Sequence, residues 1–135
     1  MAESTLAKKM KLKPGHQAVI VNAPEGYVKE LKPLPTGVKV NEKLSGAFDW
    51  IQIFVENKSQ LEKIVPKAIR CMKPESIIWI SFPKGTSKIQ TDLTRDKGWE
   101  SLQKVDMKWI TLISVNGTWS AFSMRPYRPG EKKQQ

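Results

Sequence analysis

The stretch Ser76-Ile77-Ile78-Trp79-Ile80-Ser81-Phe82 decides the fold. At its centre, Ile77-Ile78-Trp79-Ile80 is an unbroken run of β-branched and aromatic residues, which is typical of a strand that is buried on both faces of a sheet, as happens in parallel sheets. The pair Lys73-Pro74 precedes the run, and a polar loop that begins at Pro83 follows it. Proline interrupts regular structure because it has no backbone N–H to donate. We therefore place a central strand here and expect a layered α/β fold around it.

An amphipathic helix is predicted immediately before this strand. Ser59 and Glu62 have the spacing of a capping box, which marks a helix N-terminus. Pro66 interrupts the helical pattern and is expected to loosen one turn. The apolar residues recur with helical period as one stripe, formed by Leu61, Ile64, Val65, Ala68, Ile69 and Met72.

Three further strands are predicted upstream, over residues 18–21, 38–40 and 47–55. The first is a short apolar run after the turn pair Pro14-Gly15, and the second is brief enough to lie at a sheet edge. A weak helix between these two strands is expected to end at Pro33.

The C-terminal part predicts a helix over about residues 93–104 and then an antiparallel hairpin. Asp92 is a suitable N-cap for the helix. The strands 109–115 and 118–124 flank Asn116-Gly117, a pair that favours a type I′ turn with positive φ at both residues. Right-handed crossovers then give a small three-layer, Rossmann-like α/β fold, with a mostly parallel sheet that ends in the hairpin.

The charge is concentrated at the two ends of the chain. The 135 residues include 23 Lys and Arg against 13 Asp and Glu, a net charge of +10. We expect one domain over residues 12–125, with basic tails at 1–11 and 126–135. Basic tails attract nucleic acid, so a nucleic-acid-binding protein is one hypothesis. Its affinity would fall steeply with salt and would be lost when the tails are removed.

Several classes of function are excluded or disfavoured by composition. The single cysteine, Cys71, excludes an intramolecular disulfide and a multi-cysteine zinc site, and the single histidine, His16, excludes motifs with paired histidines. No apolar run approaches the ~20 residues that would span a bilayer. We expect a cytoplasmic protein with no metal and no membrane partner; the oligomeric state stays open.

The order of these segments resembles that of the class I, S-adenosylmethionine-dependent methyltransferases. The resemblance rests on Lys13-Pro14-Gly15, on Phe48-Asp49, on Lys73-Pro74 before its strand, and on the closing hairpin. The chain also resembles a small, mostly bacterial family known only as a domain of unknown function. That second likeness rests on the segments 13–16, 21–27, 79–84 and 91–96, and it implies a Rossmann-like fold and no activity.

The turn after the first strand argues against a nucleotide cofactor. The stretch Asn22-Ala23-Pro24-Glu25-Gly26 has one glycine where the dinucleotide motif has three. Pro24 removes an N–H donor, Glu25 would repel a phosphate, and the acid that methyltransferases carry near the end of this strand is replaced by Ile20. We therefore expect neither S-adenosylmethionine nor NAD to bind tightly. Glu42, beyond the second strand, is the one residue that favours ribose binding.

A ligand site is predicted where the carboxyl ends of the strands meet, because ligands of open α/β sheets bind there. Glu56 and Asn57, after the third strand, belong to the same edge. The candidate residues are Asn22, Glu25, Gly26, Tyr27, Lys84, Thr86, Thr91, Asp92 and Arg95.

Two cations and several hydroxyls at this edge predict a site for an anionic or phosphorylated small molecule. The alternative is that Asp92 only caps its helix and pairs with Arg95 or Lys84. We expect a non-catalytic binding or regulatory domain rather than an enzyme, because no nucleophile–base pair, metal cluster or phosphate loop is evident. An enzyme of unidentified type, with paired carboxylates such as Glu25 and Asp92, is the remaining hypothesis.

Overall fold

The computed structural model describes residues 5–84, 107–127 and 130–131. The predicted helix over 93–104 lies outside these residues. The described elements follow one another as α1 (Thr5–Lys9), β1 (Gln17–Val21), α2 (Tyr27–Leu31), β2 (Lys39–Asn41), β3 (Phe48–Phe54), α3 (Lys58–Arg70), β4 (Met72–Pro83), β5 (Met107–Ser114) and β6 (Trp119–Pro126).

The six strands form one sheet in the order β2-β1-β3-β4-β6-β5. The first four strands are parallel, while β6 runs antiparallel to both β4 and β5. Helices α1 and α2 contribute to the core on one face of the sheet, and α3 contributes to the core on the other. This arrangement confirms the predicted three-layer Rossmann-like fold with a closing hairpin.

The face under α3 is an aliphatic core. Side chains of β3 and β4, such as Ile53 and Ile80, are fully buried there. They pack in one cluster with Leu61 and Val65 of α3. Each fully buried branched side chain stabilises the fold by roughly 1.5–3 kcal/mol, so α3 is fixed to the sheet mainly by this stripe.

The opposite face is aromatic, and the N-terminal segment belongs to it. Trp50, Trp79 and Tyr27 are fully buried beside Ala7 and Met10. Both indole Nε1–H groups donate to the carbonyl oxygen of Met10, each at 2.8 Å. One backbone carbonyl therefore satisfies two buried donors, which would otherwise cost about 1–3 kcal/mol each.

The turn after α1 is what brings Met10 into the core. Lys11 has a left-handed φ of 59°. The N–H of Leu12 donates to the carbonyl of Ala7, and the N–H of Lys11 donates to that of Lys8. This is the Schellman arrangement that ends helices, with a lysine where glycine is usual.

The N-terminal boundary of the domain therefore lies earlier than residue 12. The expected tail at 1–11 is packed structure from residue 5 onward, because its apolar residues fill the aromatic face. Lys9 Nζ also donates to the carbonyl of Ser114, 3.2 Å away. Nucleic-acid binding through the chain ends stays a prediction, but the N-terminal lysines lie on a folded segment and not on a free tail.

The C-terminal segment also contacts the sheet. Glu131 accepts hydrogen bonds from Arg125 of β6, at 2.7 and 2.9 Å, and from Lys108 Nζ of β5, at 2.9 Å. Its carboxylate neutralises two bases of the hairpin, although the sequence analysis places residue 131 in a free tail. The chain therefore remains attached to the hairpin at residue 131.

The N-terminus of α3 is two residues earlier than expected. Asn57 is the N-cap, and its side chain accepts from the N–H of Gln60 at 2.9 Å. The Gln60 side chain in turn accepts from the N–H of Glu56 at 2.7 Å. The predicted pair Ser59 and Glu62 lies inside the helix, because the Asn57–Gln60 pair has the same three-residue spacing and comes first. Pro66 is accommodated within the continuous helix.

Replacing this cap tests the assignment directly. Asn57→Ala is expected to lower the free energy of unfolding by about 1 kcal/mol, because it leaves the Gln60 N–H without its acceptor. Ser59→Ala, at the position that the sequence suggested, should change it by less than about 0.5 kcal/mol. Urea unfolding of both variants measures the difference, and equal losses would contradict the assignment.

The hairpin between β5 and β6 is confirmed, but its predicted turn type is wrong. Gly117 does not have a positive φ. Instead the Asn116 side chain accepts from the N–H groups of Thr118 and Trp119, both at 2.9 Å. A side-chain acceptor closes the turn in an Asx arrangement, so the two-residue I′ geometry is not required.

Candidate functional site

The carboxyl edge of the sheet contains the point where strand order reverses. β1 has β2 on one side and β3 on the other, and the chain passes from β2 across β1 to reach β3. A crevice opens outside such a switch point because the connections leave in opposite directions. The residues that leave β1 and β3 here are Asn22 and Glu56.

A cavity of about 400 Å³ lies at this point. Its volume is within the range of small-molecule sites, which is roughly 300–1,000 Å³. Its lining combines aromatic and aliphatic side chains with amides and charges: Asn22, Pro24, Phe54, Glu56, Gln60, Lys63, Ile64, Lys67 and Trp119. The cavity is therefore an amphipathic pocket formed by β1, β3, α3 and the start of β6.

The turn after β1 leaves the mouth of the pocket open. Asn22 is exposed and has a left-handed φ of 59°, and Gly26, the N-cap of α2, has a φ of 81°. A non-glycine residue in this region carries backbone strain of order 1–3 kcal/mol, and such strain clusters at functional sites. A Cβ added at Gly26 would meet nothing within 4 Å. The chain thus reverses sharply and keeps the space outside β1 clear.

The inner wall of the pocket is aromatic. The rings of Phe54 and Trp119 meet edge to face, with centroids 5.1 Å apart, and Phe54 makes the same kind of contact with Tyr27 at 4.7 Å. Trp119 is only 6% exposed, and its backbone N–H donates to Asn116 Oδ1 at 2.9 Å. Packing and a hydrogen bond thus both hold this wall in place.

The outer wall carries charge. Glu56 is exposed, and its backbone, rather than its carboxylate, is engaged by Gln60. Lys63 and Lys67 lie one turn apart on α3 and are both exposed. Within the described part of the chain, none of these three charges forms an ion pair. They are free to meet a ligand.

The structure separates the predicted site residues. Asn22 lines the pocket, and Glu25 and Gly26 are exposed in the turn beside it. Tyr27 points the other way: it is fully buried, and its hydroxyl donates to Gln52 Oε1 at 2.7 Å, so it is not available to a ligand. Burial raises the pKa of this phenol well above its usual value.

Lys84 has a partner that the sequence did not suggest. Its Nζ donates to Ser114 Oγ at 2.6 Å, and its backbone N–H donates to the carbonyl of Thr118. The other proposed members of the anion site, Thr86, Thr91, Asp92 and Arg95, lie outside the described residues. Glu42 follows β2 as expected and is exposed.

The sequence reasoning missed most of the pocket wall. Phe54 and Trp119 were assigned simply to strands, and Ile64 to the apolar stripe of α3. The two lysines carried a usable signal, since a spacing of four residues puts them on one face of the predicted helix. The sequence does not show that this face of α3 borders the switch point of the sheet.

A second polar cluster lies at the amino edge, away from the pocket. Asp49 accepts from the N–H of Gln17 at 2.8 Å and from Lys73 Nζ at 2.9 Å. The Gln17 hydrogen bond is the main reason why the pKa of Asp49 lies below its usual value, and Lys73 adds to the shift. His16 is nearby, and partial burial lowers its pKa. The cluster holds together the amino ends of β1, β3 and β4, which carry Gln17, Asp49 and Lys73.

Asp49 makes stability depend on pH. Because its folded-state pKa is depressed, its contribution is fully present above the unfolded value of about 3.9 and is lost as pH falls through the lower folded value. Asp49→Asn should therefore cost about 1 kcal/mol at pH 7, and the gap to the wild type should narrow below about pH 4. Urea unfolding at pH 7, 4 and 3 measures this. A gap that does not change with pH would contradict it.

Among the residues described by the structure, no group of three or more His, Cys, Asp and Glu side chains could hold a metal ion. No helix in that same part of the chain is long and apolar enough to cross a bilayer. Cys71 is a free, buried thiol at the end of α3.

No protein-family model matches the sequence, and no curated protein matches it. Solved structures do match. A TehB-like SAM-dependent methyltransferase from Corynebacterium glutamicum is 11% identical, with a TM-score of 0.56 over 92% of this chain and 86% of that one. DhpI in complex with SAH is 9% identical, with a TM-score of 0.60 over 91% and 82%. LepI in complex with SAM is 13% identical, with a TM-score of 0.53 over 90% of this chain and 39% of that one.

These likenesses identify the class of fold. At 9–13% identity they establish that the chain has a Rossmann-like, class I methyltransferase-like fold. The resemblance to methyltransferases is thus confirmed at the level of fold. The likeness to a family of unknown function has no matching family model behind it.

Three related expectations are wrong. The sequence predicts a non-catalytic binding domain rather than an enzyme, and no tight binding of S-adenosylmethionine. The solved structures with this fold include a TehB-like SAM-dependent methyltransferase, and DhpI and LepI were solved with SAH and SAM. The error has a physical reason: Glu25 and the missing glycines were weighed against a phosphate. S-adenosylmethionine has no phosphate, and its sulfonium and amino groups are cations, which a carboxylate attracts.

Proposed function

We propose that the protein is a SAM-dependent methyltransferase acting on a small molecule. The observation that carries the proposal is the 400 Å³ pocket at the topological switch point of a methyltransferase-like sheet. Ligands of open α/β sheets bind at such points. The cofactor would lie outside β1 and β2, and the methyl acceptor would lie in the pocket between β1 and β3.

The residues at this edge fit the cofactor by charge and shape. Glu42, exposed after β2, would accept hydrogen bonds from the ribose hydroxyls. Glu25 places a negative charge in the turn, which favours a cationic ligand over a phosphate. The left-handed backbone at Asn22 keeps the space outside β1 open. With Pro24 and a single glycine in the turn, we expect affinity in the micromolar range rather than tighter.

S-adenosylmethionine supplies, when bound, a methyl group activated by its sulfonium. The chain itself would supply positioning and a proton acceptor. Phe54 and Trp119 give the acceptor a rigid apolar wall, since they are 2% and 6% exposed. Glu56 is the carboxylate at the pocket that could accept the proton of an attacking O–H or N–H group.

Isothermal titration calorimetry of the full chain with S-adenosylmethionine and S-adenosylhomocysteine tests the proposal. We expect a Kd in the micromolar range, and Glu42→Gln should weaken binding at least tenfold, because it removes a charge-assisted hydrogen bond. Glu75→Gln is the matched control, since Glu75 is also exposed but lies at the amino end of β4. It should change the Kd less than twofold.

Either of two outcomes would reject the proposal. One is no binding heat for either ligand up to millimolar concentration. The other is equal weakening by Glu42→Gln and Glu75→Gln, which would show that the ligand is attracted by net charge and not held by this edge. Circular dichroism of each variant confirms that the fold is intact.

We also propose a cytoplasmic location. The proposal is supported by the presence of a single cysteine, Cys71, because small secreted domains are typically rich in disulfides. Cell fractionation with an antibody against the chain tests it.

A further inference from the structure

Lys63 and Lys67 are not needed for the fold. Both side chains lie on the outer side of α3, while the buried stripe of that helix is formed by Leu61, Val65 and Ala68. Both nevertheless line the pocket at the switch point. Within the residues that the structure describes, neither lysine pairs with an acid. Two lysine side chains one helical turn apart therefore border the same open pocket.

The charges of the pocket favour an anion. Two lysines face one carboxylate, Glu56, so the lining has an excess of one positive charge. Like charges four residues apart on a helix repel each other. An anionic ligand between them removes this repulsion and gains two charge-assisted hydrogen bonds in which both partners are charged. A neutral ligand leaves the repulsion in place, and a cationic ligand adds to it.

The remaining lining requires an apolar part beside the anionic group. Ile64 lies on α3 between the two lysines, and the rings of Phe54 and Trp119 form the inner wall. A flat apolar ring can pack against the accessible edges of such a wall and so leave water. The pocket therefore has a charged side and an aromatic side.

We infer that the methyl acceptor is a small aromatic anion, whose carboxylate or phosphate binds Lys63 and Lys67 and whose ring packs against Phe54 and Trp119. That this anion is the methyl acceptor rests on the proposed function, whereas the anion site itself does not. The sequence had placed an anion at Lys84 and Arg95. The structure instead offers two lysines in a pocket, while Lys84 is bonded to Ser114.

The test is an NMR titration of the full chain, following the Trp119 indole and the amides of α3. The probes are benzoate and phenyl phosphate, which separate carboxylate from phosphate, and neutral benzamide of similar shape. We expect at least one anion to bind about tenfold or more tightly than benzamide. Lys63→Gln/Lys67→Gln should reduce this affinity at least tenfold.

A matched variant controls for net charge. Lys13→Gln/Lys39→Gln removes the same two charges from exposed positions at the amino edge of the sheet, and should change the affinity less than twofold. Equal binding of benzamide, or equal losses in the two double variants, would overturn the inference. The NMR titration contains no cofactor, so it tests the anion site alone. If the anion binds here but S-adenosylmethionine does not bind in the calorimetry, the proposed function is rejected and the anion site is retained.

Discussion

Deletion of residues 1–10 is expected to unfold the protein or to cost at least about 4 kcal/mol of stability. Met10 is fully buried, and removing a buried side chain of this size costs about 2–5 kcal/mol. The indoles of Trp50 and Trp79 also lose their shared acceptor, at about 1–3 kcal/mol each. The sum is comparable with the whole stability of a small domain, about 5–15 kcal/mol. Urea unfolding followed by tryptophan fluorescence measures the loss.

Two milder variants separate packing from charge. Met10→Ala keeps the backbone carbonyl and should cost about 2–5 kcal/mol. Lys8→Gln/Lys9→Gln removes two charges from the same segment and should change the free energy of unfolding by less than about 0.5 kcal/mol. A stable deletion variant would show that the segment is a dispensable tail, as its composition suggests.

Gln52→Leu is expected to cost about 2–4 kcal/mol although leucine is more apolar. Gln52 is fully buried between two hydroxyls: it accepts from the Tyr27 hydroxyl at 2.7 Å and donates from Nε2 to Ser81 Oγ at 2.9 Å. After the substitution the Tyr27 hydroxyl retains only a weak contact with Met10 Sδ at 3.6 Å. Each buried polar group without a partner costs about 1–3 kcal/mol.

A double-mutant cycle shows whether this loss comes from the orphaned hydroxyl. Tyr27→Phe removes that hydroxyl, so Tyr27→Phe/Gln52→Leu should be more stable than the sum of the single losses predicts, by about 1–2 kcal/mol. Urea unfolding of the four proteins gives the coupling energy. Additive losses would mean that the orphaned Tyr27 hydroxyl does not contribute to the cost of Gln52→Leu.

The core strands could be predicted from the sequence because the composition of these stretches indicates that they are buried. The run around Trp79 and the stretch 47–55 consist mainly of apolar and aromatic residues, as is typical of strands covered on both faces. The N-terminal segment could not be predicted in this way: four lysines surround Ala7, Met10 and Leu12, and a five-residue helix shows too little periodicity to outweigh them. Only the tertiary contact with two indoles explains its burial.

The location of the candidate pocket could be predicted from the sequence, but most of its lining residues could not. The general rule for open α/β sheets places a ligand at the ends of β1 and β3, and Asn22 and Glu56 are there. The walls come from α3 and from β6, whose positions depend on crossover direction and on the hairpin closing beside β4. Sequence spacing gives no measure of those distances. The prediction that Glu25 disfavours the cofactor was wrong for a different reason, because it assumed that the ligand carries a negatively charged phosphate.

The place of β6 between β4 and β5 has a consequence for biosynthesis. Ile78 and Ile80 of β4 acquire their neighbours Met124 and Phe122 only when the last strand has been made. At about 5–20 residues per second, the ribosome needs roughly 2–9 s to travel from the end of β4 to the end of β6. During that interval the edge of β4 that later pairs with β6 is apolar and has no partner strand. Chaperones can bind such an edge, and in rapid overexpression it is a source of misassembly.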